Sequence, residues 1–282
     1  MKLVRWGAPG TEKPGILDQA GQVRDLSGHV ADIDGKTLDP ASLAKLGKLD
    51  VMSLPLASGS PRLGPCVGNV SKIPAIGLNY SDHAAEAGAP IPVEPVVFSK
   101  AISAICGPND DIVQPRDSTK LDYEVELAIV IGTRASYISK EAALDHVAGY
   151  CVCNDVSERA FQVERSGGQW DKGKSNDTFA PLGPWLVTKD EIPDPQSLEL
   201  FLDVNGEARQ RGTTAKMIFD VKTIVSYLSC FMTLMPGDVI ITGTPPGVGM
   251  GFKPQRFLKP GDNLRLGISG LGEQRQKVVA WS

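Results

Sequence analysis

The segment "LDYEVELAIVIG", residues 121–132, constrains the fold of this chain more than any other. In a strand, alternate side chains share a face, so Asp122, Glu124 and Glu126 would lie side by side at intervals of about 7 Å. Like charges that close repel each other unless they bind a proton or share a cation. The segment continues into "LAIVIG", which is apolar on both faces and typical of a central strand. It therefore predicts a buried strand with an acidic cluster rather than a solvated outer strand.

A second apolar segment, "GYCVCND", ends in Asn154 and Asp155, where a strand end can deliver a metal ligand. Oxygen ligands from several carboxylates favour a hard divalent ion, Mg²⁺ or Mn²⁺, with positions left for water or substrate. Cys151 and Cys153 in the same segment are expected to be small buried hydrophobic residues. The five cysteines are odd in number and lack paired spacing, which argues against a disulfide framework.

The segment "GGQWDKGKS", residues 167–175, matches the spacing of the phosphate-binding loop of nucleotide-binding proteins. Such a loop needs a buried strand before it and a helix after it. The preceding residues are highly charged, and Pro181, Gly183 and Pro184 follow where the helix would run. We therefore reject nucleotide binding. Lys174 in this segment can instead neutralise an anion or an enolate beside a metal ion.

His83 lies three residues before Glu86 in "NYSDHAAE", so the two side chains share a face if this segment is a helix. A carboxylate orients an imidazole and raises its basicity, an arrangement typical of a general base that acts on water. An exposed charged pair on a mobile helix is the alternative. The segment "GTPPGVGMG", residues 243–251, has backbone amides that could bind a carboxylate, or it is a tight connection.

Composition excludes several classes of protein. The formal net charge is −4, and the scattered Lys and Arg residues form no basic stripe for nucleic acid. The chain has no run of eighteen apolar residues, and its first ten residues turn polar before a signal-peptide core could form. We therefore expect a soluble cytoplasmic protein with no nucleic-acid or membrane partner.

The strand and helix patterns predict a mixed α/β fold that is mostly β. We expect a small β-rich N-terminal domain over residues 1–70 and a catalytic domain over residues 71–282. One short helix is expected between Ser139 and Gly149, and a longer one over residues 216–234, where apolar residues recur with a helical period.

Six motifs over residues 70–282 together resemble the fumarylacetoacetate hydrolase family: "GLNYSDHAAE", "FSKA", "LDYEVELAIVIG", "NDVSERAFQ", "KGKS" and "TGTPPGVG". The resemblance implies a β-roll core and a homodimer. It implies that Glu124, Glu126 and Asp155, without Asp122, hold Mg²⁺ or Mn²⁺. The remaining implied site residues are His83 and Glu86 of a lid, the catalytic Lys174, and the substrate contacts Lys100, Arg159, Gln162, Gly243 and Thr244.

The activity that the resemblance implies is hydrolysis of a 2,4-dioxo acid to pyruvate and a carboxylic acid. Within the family, the sequence most resembles enzymes that cleave 2,4-diketo-3-deoxy-L-rhamnonate or -fuconate. The second product would then be a carboxylic acid such as lactate. Decarboxylation of oxaloacetate and isomerisation of 2-hydroxyhepta-2,4-diene-1,7-dioate are open alternatives on the same metal-chelating group. A non-catalytic protein that binds a 2-oxo acid is a third.

Overall fold

The computed structural model describes residues 1–86, 88 and 90–281. Its strands form a ten-stranded sheet, a five-stranded sheet and a two-stranded ribbon, with short helices between them. This confirms the mixed, mostly β fold. Within the described residues, no helix combines the length and the apolar character needed to span a bilayer.

The strands, in chain order, are β1 (Lys2–Trp6), β2 (Lys13–Leu17), β3 (Val23–Asp25), β4 (Ile73–Gly77), β5 (Val96–Lys100), β6 (Ile105–Cys106), β7 (Ile112–Gln114), β8 (Leu121–Asp122), β9 (Val125–Ile131), β10 (Val147–Asn154), β11 (Ser157–Glu158), β12 (Ala180–Thr188), β13 (Glu199–Val204), β14 (Glu207–Thr213), β15 (Val239–Ile241), β16 (Asn263–Ile268) and β17 (Gly272–Ala280). The α-helices are α1 (Pro40–Leu46), α2 (Ser81–Glu86), α3 (Asp171–Lys174) and α4 (Val221–Ser229).

The larger sheet has the strand order β3-β2-β1-β12-β10-β9-β15-β4-β5, with β6 beside β12. The smaller sheet has the order β14-β13-β16-β17-β7, and its strands β13 and β16 contact β9. Strands β9 and β10 are antiparallel neighbours, and every residue of both is buried. The predicted central strand is thus the middle of the core, where water does not screen a charged side chain.

Strand pairing also joins the N-terminal strands to the larger sheet. Leu3 of β1 pairs with Leu186 of β12, so the first three strands extend the larger sheet. The division into domains at residue 70 stays a prediction. The cysteines are free, and burial raises the pKa of the Cys151 and Cys153 thiols, in agreement with their prediction as unreactive core residues.

The acidic strand differs from its prediction at one point. The pairing is interrupted between β8 and β9, so Asp122 and Glu126 do not belong to one uninterrupted strand. The Asp122 carboxylate accepts hydrogen bonds from the backbone amides of Gly249 and Met250 at 2.7 and 3.0 Å. These bonds hold Asp122 apart from the carboxylates of Glu124 and Glu126.

The two predicted helices are shorter than expected. Between Ser139 and Gly149 only residues 143–146 form a 3₁₀ helix, because Gly149 lies in β10, where a Cβ would come within 2.1 Å of the Val187 carbonyl oxygen. The predicted helix over residues 216–234 is reduced to α4. Asp220 caps its N-terminus by accepting from the Thr223 amide. On either side of α4 the chain forms isolated β-bridges instead. Met217 pairs with Tyr80, and Leu234 pairs with Ala135.

Replacement of Ile129 by Ala tests the central position of β9. Ile129 is fully buried between Tyr150 of β10 and Ile240 of β15, so we expect the free energy of unfolding to fall by about 2–5 kcal/mol. Urea denaturation measures the change. As the control, Val93→Ala at a site that is 96% exposed should change stability by less than about 0.5 kcal/mol. Equal effects of the two substitutions would contradict the assignment of β9 to the core.

Candidate active site

Three buried carboxylates meet at the ends of β9 and β10. Glu126 lies in β9, Glu124 directly precedes that strand, and Asp155 directly follows β10. The pairing of Glu126 with Cys153 brings these ends together, and the Asp155 amide donates to the Glu124 carbonyl oxygen at 2.8 Å. One carboxylate oxygen from each of the three residues lies within 4.8 Å of the others. The predicted triad is therefore a single cluster.

Buried cations surround two of the three carboxylates. Lys174 Nζ donates to Glu124 Oε2 at 2.6 Å and to Asp155 Oδ2 at 2.7 Å. Arg159 Nη2 donates to Glu124 Oε1 at 2.7 Å, and Lys100 Nζ donates to Asp155 Oδ1 at 2.5 Å. Lys174 thus bridges the two acidic residues, so its ammonium group is engaged by carboxylates of the chain itself.

Burial and these ion pairs act in opposite directions on the protonation of the site. Burial disfavours the charged form of Glu124, but the positive charges of Lys174 and Arg159 outweigh it and lower the pKa of that carboxyl. Burial likewise disfavours the charged form of Lys174, but the carboxylates of Asp155 and Glu124 outweigh it and raise the pKa of the ammonium group. Both groups are therefore charged in the folded protein at neutral pH.

Glu126 differs from its two neighbours because no salt bridge within the described residues reaches it. Its Oε2 accepts only the amide of Gly243, at 2.7 Å. Burial, Asp155 and Glu124, in that order of effect, raise its carboxyl pKa well above the usual range. A bound cation would favour the charged form of Glu126. The donor set also consists of oxygen atoms alone, as Mg²⁺ and Mn²⁺ prefer, so the residues fit a hard divalent ion.

The Gly-rich segment, residues 243–251, approaches the acidic cluster closely. Gly243 has a φ of 92°, and a Cβ there would lie 2.9 Å from Asn79 Cβ, so glycine is required at this position. Thr244 Oγ1 donates to the Val125 carbonyl oxygen at 2.9 Å. The carboxylate that the Gly243 amide binds is the chain's own Glu126.

Arg159 connects this segment to the cluster through Asp122. Arg159 Nε donates to Asp122 Oδ2 at 2.8 Å, and Arg159 Nη1 donates to Gln162 Oε1 at 2.9 Å. Asp122 in turn binds the amides of Gly249 and Met250. One guanidinium group therefore fixes the Gly-rich segment, Gln162 and a triad carboxylate relative to one another.

The predicted histidine and glutamate pair is formed on α2. His83 Nδ1 lies 2.9 Å from Glu86 Oε2, and the ring is largely buried. Glu86 Oε1 accepts from the Gly247 amide at 3.0 Å. Glu86 thus contacts both the imidazole and the Gly-rich segment, and this fixes how His83 faces the cluster.

A cavity of about 110 Å³ lies in front of the cluster. The predicted residues that line it are His83, Glu124, Glu126, Arg159, Gln162, Lys174, Gly243 and Thr244. Glu86 and Asp155 lie just outside and hydrogen-bond to the lining residues His83 and Lys174. Lys100, predicted to contact substrate, is fully buried behind Asp155, so its position is that of a group that holds this carboxylate.

The cavity also has apolar lining residues that the sequence analysis did not predict, and they are called its apolar side. It consists of Ile76, Leu78, Phe98, Val163, Trp170 and Met250. A weak signal was available for Phe98, since it lies two residues before Lys100 on one face of β5. Trp170 and Met250 lie in irregular Gly-rich segments, where no periodicity marks an inward-facing side chain.

Comparison with known proteins identifies the family of the chain. The family model described as fumarylacetoacetate (FAA) hydrolase C-terminal matches residues 72–279, so the chain belongs to the fumarylacetoacetate hydrolase family. A Burkholderia cenocepacia protein is 62% identical over 279 residues, which is 99% of each chain, and it bears only a provisional hydrolase name. These similarities support a hydrolase-type enzyme.

Solved structures extend the comparison to particular reactions. A fumarylacetoacetate hydrolase from Exiguobacterium antarcticum is 38% identical with a TM-score of 0.86, and both chains are fully covered. A 2-hydroxyhepta-2,4-diene-1,7-dioate isomerase from Mycobacterium marinum is 33% identical with a TM-score of 0.76, covering 99% and 98%. A maleylpyruvate hydrolase from Sphingobium sp. SYK-6, in complex with manganese(II) and pyruvate, is 28% identical with a TM-score of 0.82 and full coverage.

Replacement of Glu126 by Gln tests the metal assignment with little change in shape. We expect the affinity for Mn²⁺ to fall at least about 10-fold, because one negatively charged ligand is lost. In EDTA, the free energy of unfolding should not fall, since Glu126 makes no salt bridge. Isothermal titration calorimetry and urea denaturation measure the two quantities. Glu164→Gln, at an exposed carboxylate outside the cluster, is the control, and equal Mn²⁺ affinity in both variants would contradict the assignment.

Proposed function

We propose that the protein is a divalent-metal-dependent hydrolase that cleaves the C3–C4 bond of a 2,4-dioxo acid to pyruvate and a carboxylic acid. The proposal rests on one observation: the carboxylate triad, buried Lys174 and the His83–Glu86 pair lie together at one cavity. The similarity to a maleylpyruvate hydrolase whose structure contains manganese and pyruvate supports it.

Glu124, Glu126 and Asp155 are the proposed metal ligands, with Mg²⁺ as the first candidate and Mn²⁺ as the second. A divalent ion bound there supplies Lewis-acid charge to the carboxylate and the adjacent carbonyl oxygen of a 2-oxo acid. Lys174 and Arg159 add fixed positive charge on the same side of the cavity. The protein thus binds the acid end of the substrate through charge that is already in place.

His83 is the proposed general base. Its Nδ1 faces Glu86, so Nε2 is available to take a proton from water. The water oxygen adds to C4, and the electron pair of the C3–C4 bond then forms the enolate of pyruvate. The ammonium group of Lys174 stabilises this negative charge. Protonated His83 returns its proton to C3, which completes pyruvate and leaves the acyl part as a carboxylic acid.

The proposed substrate is 2,4-diketo-3-deoxy-L-rhamnonate or -fuconate, because the sequence as a whole resembles enzymes that cleave these acids. The proposed second product is lactate. The fumarylacetoacetate hydrolase resemblance leads us to propose a homodimer as well. Isomerisation is a second candidate because of the similarity to the Mycobacterium marinum isomerase. Isomerisation does not consume water, and neither does decarboxylation of oxaloacetate, so identification of the products separates these activities from hydrolysis.

Replacement of His83 by Gln tests the proposed function. Wild-type protein with Mg²⁺ should convert 2,4-diketo-3-deoxy-L-rhamnonate to pyruvate and lactate, and EDTA should stop the reaction. We expect His83→Gln to lower kcat by about 10²- to 10⁴-fold, because the water loses its proton acceptor. Mass spectrometry of the products measures both effects.

His29→Gln is the matched control, since His29 is exposed and is not among the residues that line the cavity. Unimpaired hydrolysis by His83→Gln would contradict the role of the general base. If the wild-type protein released no pyruvate from any 2,4-dioxo acid, the proposed function itself would be wrong.

A further inference from the structure

We infer that the cavity accepts a short, uncharged acyl tail with an apolar end, and that it rejects a tail that carries a second carboxylate. The inference rests on the proposed function and names the substrate class of the same site. It separates this protein from enzymes for diacid substrates such as maleylpyruvate and 2-hydroxyhepta-2,4-diene-1,7-dioate. Three properties of the cavity carry it: its apolar side, the charges that line it and its size.

Phe98 and Trp170 form the fixed part of the apolar side. The rings of Phe98 and Trp170 lie 5.4 Å apart between centroids and are tilted by 59°. Trp170 packs so closely on Gly77 that a Cβ there would lie 2.3 Å from Trp170 Cζ3. The indole therefore cannot move toward β4 to enlarge the cavity. Lys174 Nζ lies 5.3 Å from the centroid of the Phe98 ring, so a tail that extends past this ammonium group meets aromatic and aliphatic carbon.

The cationic groups that line the cavity are already paired. Of the described lining residues, Arg159 and Lys174 carry permanent positive charge, and both bind the acidic cluster. Arg209 and Arg256 of the neighbouring segments are not among the residues that line the cavity. Both pair with Glu207 and lie against the Phe252 ring, and Arg209 Nε and Nη1 are buried with no hydrogen-bond partner among the described residues. A carboxylate buried without a counter-charge is strongly disfavoured, so the tail has to be uncharged.

The size of the cavity limits the length of the tail. About 110 Å³ is well below the roughly 300–1,000 Å³ of pockets that hold drug-sized ligands. The tail of 2,4-diketo-3-deoxy-L-rhamnonate consists of one hydroxyl-bearing carbon and a methyl group, so it is both short and uncharged. Its methyl group would lie against the apolar side.

Binding of two 2-oxo acids that differ at the far end tests the inference without catalysis. Calorimetric titration of the Mg²⁺-loaded protein should show 2-oxopentanoate, which ends in a methyl group, binding at least about 10-fold more tightly than 2-oxoglutarate, which ends in a carboxylate. Equal or tighter binding of 2-oxoglutarate would overturn the inference. Failure of the proposed function would appear separately, as the absence of pyruvate from every 2,4-dioxo acid.

A cation placed at the cavity tests the cause of the selectivity. Val163 lines the cavity and is 57% exposed, so a long side chain can be accommodated there. The quantity compared is the affinity for 2-oxoglutarate divided by the affinity for 2-oxopentanoate. We expect this ratio to be at least about 10-fold higher in Val163→Lys than in Val163→Gln, which adds similar length without charge. The same affinity ratio in both variants would show that the missing counter-charge does not cause the rejection.

Discussion

A buried excess of negative charge is the constraint on which the rest of this structure depends. The cluster at the site consists of four acidic groups and three cations: Asp122, Glu124, Glu126, Asp155, Lys100, Arg159 and Lys174. The cluster keeps one carboxylate, Glu126, without an ionic partner in the described residues. An unpaired charge at this depth is costly, so the site favours a proton or, more strongly, a divalent cation. The protein's own side chains therefore leave the negative charge of this cluster incompletely neutralised, and a bound cation would complete the neutralisation.

The sheets provide the rigidity that such a cluster requires. Strands β9 and β10 fix Glu126 and Asp155 on neighbouring strands, and the break before β9 frees Glu124 to meet both. Arg159 and Asp122 then bind the Gly-rich segment to the same frame. The carboxylates of the cluster are thus held at the ends of β-strands, whereas His83 lies on the short helix α2. Glu86 of this helix accepts from the Gly247 amide, and the Ser81 hydroxyl donates to the Lys216 carbonyl oxygen.

Much of this arrangement could be predicted from the sequence, because its signals are local. Alternating Glu residues in a strand that is otherwise apolar indicated a buried acidic cluster, and proline and glycine after Lys174 ruled out a phosphate-binding loop. The long-range features could not be predicted. The interruption after Asp122 depends on amides of residues 249–250, and the inward position of Trp170 depends on the contact with Gly77. The short 3₁₀ helix before β10 likewise results from close packing on β12, which overrides local helix preference.

X-ray diffraction from crystals grown with Mn²⁺ and pyruvate, recorded for the anomalous signal of manganese, tests the central claim most directly. The account predicts one strong anomalous peak in contact with an oxygen of Glu124, of Glu126 and of Asp155, with pyruvate beside it and Lys174 within hydrogen-bonding distance of the bound acid. A peak bound by other residues, or no peak at saturating Mn²⁺, would contradict the account.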